Sequence, residues 1–92
     1  MDMVIKQDLK ISEAKIIIFL NQVDDNLRHS SGISTKLKMD YSYARKIITD
    51  MLDKQWIKKH QTGIRTIYFL TKKGEKLLTE ANVIHEQTKE GQ

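Results

Sequence analysis

Cysteine and proline are both absent from this 92-residue chain, and glycine occurs only four times. Without cysteine, neither a disulfide framework nor a thiolate metal site can supplement a small core. Stability therefore has to come from packing, with a partner subunit as one source. No proline-rich, glycine-rich or otherwise low-complexity linker divides the chain, and no internal repeat is present. The four glycines form no phosphate-cradling loop. Long hydrophobic runs are missing too: the longest, Ile16-Ile17-Ile18-Phe19-Leu20, falls far short of the roughly 20 residues that span a bilayer. Met1 to Asp8 lack the basic start, apolar stretch and small-residue cleavage site of a signal peptide, so cytoplasmic residence without membrane attachment is expected.

Signs of catalysis are equally sparse. His29, His60 and His85 are scattered, with no HExxH and no repeated ligand spacing, which predicts no metal and no cofactor. Ser30-Ser31-Gly32 lacks the preceding strand that a nucleophile elbow requires. The expectation is a protein that is not an enzyme.

What is present suits one folded unit. Hydrophobic residues make up 39% and charged residues 30%, too apolar for disorder, and the length predicts a single domain over 1–92. The net charge of +4 is unevenly spread. Between Lys36 and Lys76 eleven Lys and Arg face four acids, whereas the remainder carries five bases against eight acids. A basic centre between acidic ends directs one surface at a polyanion. The alternative is a well-solvated lysine-rich surface with no ligand.

Periodicity supplies the elements. Ile11 to Val23 reads as a helix with Ser12 as N-cap, Ile11 stapled to Ile16, and Ala14, Ile17, Ile18 and Leu20 turned inward. Met3, Val4, Ile5 and Leu9 before it are compatible with a short helix or an extended arm. Asp24-Asp25-Asn26 marks a turn, Leu27 to His29 a very short strand, and Ser30-Ser31-Gly32 a further break. Ile33, Leu37 and Met39 then define a short second helix. Asp40 caps the clearest amphipathic helix, Tyr41 to about Lys54, whose apolar positions Ala44, Ile47, Ile48, Met51 and Leu52 follow the i, i+3, i+4, i+7 rule. Trp56 to Gln61 and Ile64 to Leu70 read as a hairpin turning at Thr62-Gly63, with Gln61 opposite Ile64 and Ile57 opposite Tyr68. Ile57, Tyr68 and Leu70 share one face, Trp56, Ile67 and Phe69 the other, and the sequence leaves open which meets the core. Thr71 caps a last helix, about 72–87, with a stripe of Leu77, Leu78, Ala81 and Ile84; Thr88 to Gln92 are expected to fray. The fold class is mainly α with a small β-hairpin (α+β).

Two tracts carry a resemblance. Asp40-Tyr41-Ser42-Tyr43-Ala44-Arg45-Lys46-Ile47-Ile48-Thr49-Asp50-Met51-Leu52-Asp53-Lys54-Gln55-Trp56-Ile57 and Tyr68-Phe69-Leu70-Thr71-Lys72-Lys73-Gly74-Glu75-Lys76-Leu77-Leu78 resemble the recognition helix and wing end of winged helix-turn-helix regulators of the MarR-like and PadR-like kinds, small archaeal and viral ones included. The pattern covers Ser12 to Leu78, with one departure: Gln55 stands where such proteins often place a glycine for a left-handed cap.

The resemblance implies a sequence-specific double-stranded DNA-binding protein, a transcriptional regulator whose helix 41–54 reads the major groove while the 57–70 hairpin contacts flanking DNA. A helix of this diameter fits that groove, and its N-terminal turns bring free N–H groups and a positive dipole end to the DNA. Candidate recognition-helix contacts are Tyr41, Ser42, Tyr43, Arg45, Lys46 and Thr49, with base reading assigned chiefly to Arg45 and phosphate neutralisation to Lys46. Tyr41 and Tyr43 fit packing over the helix turn equally well. In the wing the candidates are Lys59, His60, Thr62 and Arg65, and in the second helix Lys36 and Lys38, for phosphate. Leu77, Leu78, Ala81 and Ile84 are candidates for a homodimer interface. No small-molecule ligand is expected. The competing readings are a protein–protein interaction module built on the same fold, and a partition or architectural DNA-binding protein.

Overall fold

Capping and close approach, more than propensity, decide where the elements of this chain begin and end. A computed structural model describes residues 9–90, with side chains through Gln87, and Met3, Val4 and Ile5 therefore lie outside the described residues. The elements are α1 (Ile11–Gln22), a 3₁₀ turn (Asp25–Leu27), α2 (Ser30–Lys36), α3 (Tyr41–Asp53), β1 (Ile57–Thr62), β2 (Arg65–Leu70), α4 (Lys72–Glu75) and α5 (Leu78–Glu90). Mainly helical with one antiparallel hairpin, this is the expected class.

The start of α1 differs from expectation. Lys10, not Ser12, is the N-cap, and the Glu13 carboxylate accepts the Lys10 backbone N–H at 2.9 Å. Ser12 lies inside the helix, and Ile11 is largely exposed rather than stapled. Glu13 prevails because its other oxygen is held at 2.8 Å by Lys54, which fixes the carboxylate at the helix start.

Between α1 and α2 the expected strand at Leu27–His29 is replaced by the 3₁₀ turn. Arg28 causes this. Its guanidinium donates to the Leu20 carbonyl at 2.8 Å, the Val23 carbonyl at 3.1 Å and the Asp25 carboxylate at 3.0 Å, drawing the chain back on the end of α1. A single rung remains of strand pairing: Tyr68 N–H donates to the Arg28 carbonyl at 2.9 Å. Ser30-Ser31-Gly32 is not a break but the first turn of α2, because the His29 imidazole accepts the Gly32 N–H at 3.1 Å and caps it.

Asp40 caps α3 as expected, accepting from Tyr43 N–H at 3.3 Å. Both helices flanking the interhelical turn end in the same way. Lys38 and Gln55 take left-handed φ values of 57° and 65°. The next N–H reaches back to the helix in each case, Met39 to Ser34 at 2.9 Å and Trp56 to Met51 at 3.0 Å, the Schellman closure. Gln55 therefore takes the conformation expected of glycine.

In the hairpin Ile57 pairs with Leu70, Lys59 with Tyr68 and Thr62 with Arg65, so the loop is Gly63-Ile64, not Thr62-Gly63. Gly63 has a φ of +56°, which glycine adopts freely. The slip is two residues. Alternation has period two, so Ile57, Tyr68 and Leu70 still share a face. Ile57, Ile67 and Tyr68 are buried, but every residue from Lys58 to Arg65 is exposed, so the outer half of the ribbon projects from the body.

Thr71 caps α4 by accepting the Gly74 N–H at 3.0 Å, and its hydroxyl donates back to the Gln55 carbonyl at 2.6 Å. A Cβ on Gly74 would stand 2.0 Å from the Trp56 carbonyl oxygen, so only glycine lets α4 sit on the start of the hairpin. The expected continuous helix over 72–87 is accordingly two helices, with α4 ending before Lys76-Leu77 and α5 running to Glu90. The core joins Ala14, Ile16, Ile17 and Leu20 of α1, Ile33 of α2, Ile47, Ile48 and Met51 of α3, Trp56 just before the hairpin, Ile57 and Tyr68 of the hairpin, Leu77 just before α5 and Ala81 within it. No helix among the described residues is long and apolar enough to cross a membrane.

Candidate nucleic-acid interface

The apolar stripe of α3 faces inward, which turns its polar stripe outward by construction. Ala44, Ile47, Ile48 and Met51 are buried, whereas Tyr41, Ser42, Tyr43, Arg45, Lys46 and Thr49 are all exposed. Tyr41, Arg45 and Thr49, four residues apart, form one wall of an open cleft of about 680 Å³. Lys59, Ile64, Arg65 and Thr66 of the hairpin form the opposite wall, and His29, Ser30 and Ser31 at the start of α2 close one end. Asp53 is the acidic residue among these lining groups.

No ion pair among the described residues ties Arg45, Lys59 or Arg65 to an acid. Arg45 lies beside the Tyr41 hydroxyl, whose hydrogen bond and field raise its pKa above the usual arginine value, with a smaller contribution from Tyr68. Among the described residues the cleft thus carries unpaired positive charge on both walls, in excess over the single acid, Asp53, that lines it. Such charge raises the local concentration of polyanions and strengthens their attraction.

The remaining candidates are distributed around this cleft rather than in it. Ser42 is exposed near the start of α3, and Lys46 opens onto a shallow hollow with Lys10, Thr49 and Asp50. Tyr43 turns the other way, its hydroxyl donating to Ser12 Oγ at 3.2 Å, so this ring rests against α1. His60 lies on the ribbon beside Lys58 and Phe69. Thr62 ends β1 and its hydroxyl donates to the Arg65 carbonyl at 3.4 Å. Lys36 and Lys38 line a separate groove with Ile18, Phe19, Leu37 and His85, because the end of α2 points toward α1 and α5 while its start faces the cleft.

A winged helix-turn-helix family model matches residues 10–89. The chain belongs to the winged helix-turn-helix family. In that family's terms, α2 and α3 are the helix-turn-helix and β1–β2 the wing. Solved winged-helix structures resemble it over most of its length. A mutant of ZitR from Lactococcus lactis has a TM-score of 0.75 at 19% identity, covering 98% of this chain and 62% of the other. A mutant of MepR from S. aureus has a TM-score of 0.73 at 16% identity, covering 91% and 62%. Wild-type ZitR in complex with DNA has a TM-score of 0.68 at 20% identity, covering 94% and 60%. The chain therefore spans about three fifths of the length of these solved proteins. No curated protein matches it in sequence.

Within this winged-helix frame the sequence reading missed three groups. Ser30 and Ser31 join the cleft at the start of α2; the signal that could have found them was a pair of hydroxyl residues after His29, a side chain able to cap. Arg28 holds α1, the 3₁₀ turn and the wing together, its guanidinium also stacked 4.6 Å from the centre of the Phe69 ring. The third group is Glu13 with Lys54. Glu13 is fully buried, and Lys54, 4.5 Å over the Trp56 ring, bridges it to Asp50 at 3.2 Å. Burial opposes charge on Lys54, but the hydrogen bonds it donates to Glu13 and Asp50 outweigh that and raise its pKa, while the bond Asp50 accepts from Lys54 lowers that of Asp50. Lys54 is thus a tether between α1 and α3, not part of the free basic surface.

Proposed function

We propose that the chain is a sequence-specific double-stranded DNA-binding protein and transcriptional regulator, acting in the cytoplasm and without enzymatic activity. The observation that carries this is the cleft between α3 and the wing, with Arg45 on one wall, Lys59 and Arg65 on the other, and no acid among the described residues paired to any of them. Wild-type ZitR, of the same fold, has been solved with DNA, which supports the reading. Arg45 reads base edges and Lys46 holds phosphate, with Tyr41, Ser42 and Thr49 beside them. The wing contributes Lys59, His60, Thr62 and Arg65 to the flanking backbone. Lys36 and Lys38 reach phosphate only where the duplex curves past the end of α2. An interaction module would have no use for so many unpaired cations on facing walls.

Dimerisation is part of this proposal. Leu77 and Ala81 are buried in the chain's own core and support the interface from beneath, whereas Leu78 and Ile84 are half-buried and Val83 is exposed on the same helix. A two-fold dimer through α5 sets two recognition helices on a symmetric operator. Sedimentation at micromolar concentration gives a dimer that Leu78→Asp or Ile84→Asp dissociates; a strict monomer removes this part alone.

Selection of bound duplexes from a random pool tests the whole. A preferred sequence is expected, with Arg45→Ala costing about 1–3 kcal/mol and relaxing preference at one base pair per half-site. Lys46→Ala should weaken all duplexes alike and lower the salt slope by about one for each phosphate it no longer neutralises. Wild-type affinity and salt dependence in the double variant, with circular dichroism unchanged, would show that α3 is not the reading element.

A further inference from the structure

The tip of the wing carries a side chain that neither the fold nor the charge of the cleft accounts for. Ile64 is fully exposed, more so than any other large apolar residue among those described. It occupies the second loop position of the Gly63-Ile64 turn, where Gly63 alone meets the demand for positive φ. A polar residue would serve the turn as well and would be better hydrated. Ile64 packs into no core cluster. It nonetheless belongs to the cleft wall, next to Arg65 and across from Tyr41 and Arg45. The tip is held in shape independently of Ile64, since Gln61 accepts from Thr66 at 2.8 Å and donates to the Gly63 carbonyl at 3.1 Å.

Resting on the DNA-binding reading, we infer that Ile64 is an apolar probe of the minor groove: with α3 in the major groove, it packs on the groove floor beside Arg65 and selects A·T-rich flanks. The chemistry of the floor dictates the preference. In the minor groove an A·T pair shows acceptors and open carbon edges, whereas a G·C pair adds the guanine N2 amine, a donor that an aliphatic side chain would bury without a partner. Arg65, a cation at the same tip, is drawn to the stronger negative potential of narrow A·T tracts, so the two side chains favour the same flanks for different reasons. The groove reached by the tip lies about half a helical turn, roughly 5 base pairs, from the centre of the α3 site.

The test uses the duplex selected from the random pool in three versions, with A·T, G·C or inosine·C pairs in the flanks. Inosine·C keeps the major-groove face of G·C but lacks the N2 amine. By fluorescence anisotropy at fixed salt, the whole protein should bind the A·T and inosine·C versions about tenfold more tightly than the G·C version, the low end of the effect of withdrawing an isoleucine side chain from water. Ile64→Ser should lose most of the preference, keeping only the smaller share that Arg65 contributes, with an unchanged salt slope, and Ile64→Leu should restore it. Arg65→Ala should instead lower the salt slope while keeping the response to inosine. Ile64→Ser indistinguishable from wild type on all three versions, or a uniform loss with no wild-type flank preference to begin with, overturns the inference while leaving the Arg45 and Lys46 results standing. Failure of the DNA reading itself appears separately, as a pool that yields no preferred duplex.

Discussion

Removing the Arg28 guanidinium isolates the contribution of one side chain that ties three elements together. In Arg28→Ala the carbonyls of Leu20 and Val23 at the end of α1 lose their charged donor, and so does the more distant Tyr68 carbonyl at 3.4 Å. A hydrogen bond with one charged partner is worth about 1.5–3 kcal/mol, but the side chain is 13% exposed, and water can enter once the guanidinium is gone. Two good bonds discounted in this way amount to about 2 kcal/mol. The stacking on Phe69 adds about 0.5–1 kcal/mol, and the pair with the exposed Asp25 a few tenths. The expected loss is about 3 kcal/mol, a large part of the roughly 5–14 kcal/mol available to a domain of this size. At about 4–8 °C per kcal/mol, Tm should fall by roughly 12–24 °C. Thermal and urea unfolding, followed together by far-UV circular dichroism and by fluorescence of the buried Trp56, measure it. Arg28→Lys supplies one point donor in place of a planar fork and should recover only about 1 kcal/mol. A loss below about 0.5 kcal/mol in the alanine variant, or full recovery by lysine, would refute the reasoning that the fork geometry holds the corner.

Gln55→Gly relieves a left-handed non-glycine residue and should raise stability by about 0.5–1 kcal/mol, read from the urea midpoint at unchanged slope; no gain would mean the Schellman turn carries no strain. Gly74→Ala places a methyl group against the Trp56 carbonyl and should cost about 2 kcal/mol or more in the same assay, with a wing that no longer seats on α4; a neutral result would contradict the close approach. The Asp50–Lys54 pair sets a pH dependence. Asp50 has a lowered pKa, so its contribution is complete above the ordinary aspartate value of about 3.9 and disappears as pH falls through the lower folded value. Lys54 has a raised one, so its contribution is complete below about 10.4 and disappears only as pH climbs through the higher folded value. Urea midpoints of wild type and Asp50→Asn should therefore converge once the pH has fallen through the lowered folded value of Asp50 and stay apart at neutral pH; parallel curves throughout would show the pair to be inert.

The elements that were legible in the sequence are those whose determinants are local. Asp40, the 3.6-residue stripe from Ala44 to Leu52 and the turn after it lie within one short stretch, and α3 appears where they put it. The outward face of α3 was legible for the same reason, because a helix with one buried stripe has its other face determined. The start of α1 was misread because Glu13 acts through Lys54, 41 residues away, and no window along the chain contains both. The wing register slipped by two because alternation with period two satisfies both pairings equally, and the decision rests on the loop conformation at Gly63. The Thr71-to-Gly74 signature was recognisable as a pattern, but its physical role needs the Trp56 carbonyl beneath it. Lys36 and Lys38 qualified by charge alone, and charge carries no information about which way the end of α2 points.

The hairpin is anchored at one end only, since β1 buries Ile57 and nothing beyond it. Its outer rungs from Gln61 and Thr66 outward are held by ladder hydrogen bonds and a few side-chain contacts in water, which open at far lower free energy than the core. Amide protons at Gln61 and Arg65 consequently exchange through brief local openings, while those of Ile48 and Met51 wait for global unfolding. On the proposed function, a duplex that grips this low-stability ribbon removes conformational entropy. That ordering term opposes binding, grows with temperature, and makes the contribution of the wing to affinity smaller in warm solution than its contacts alone would give.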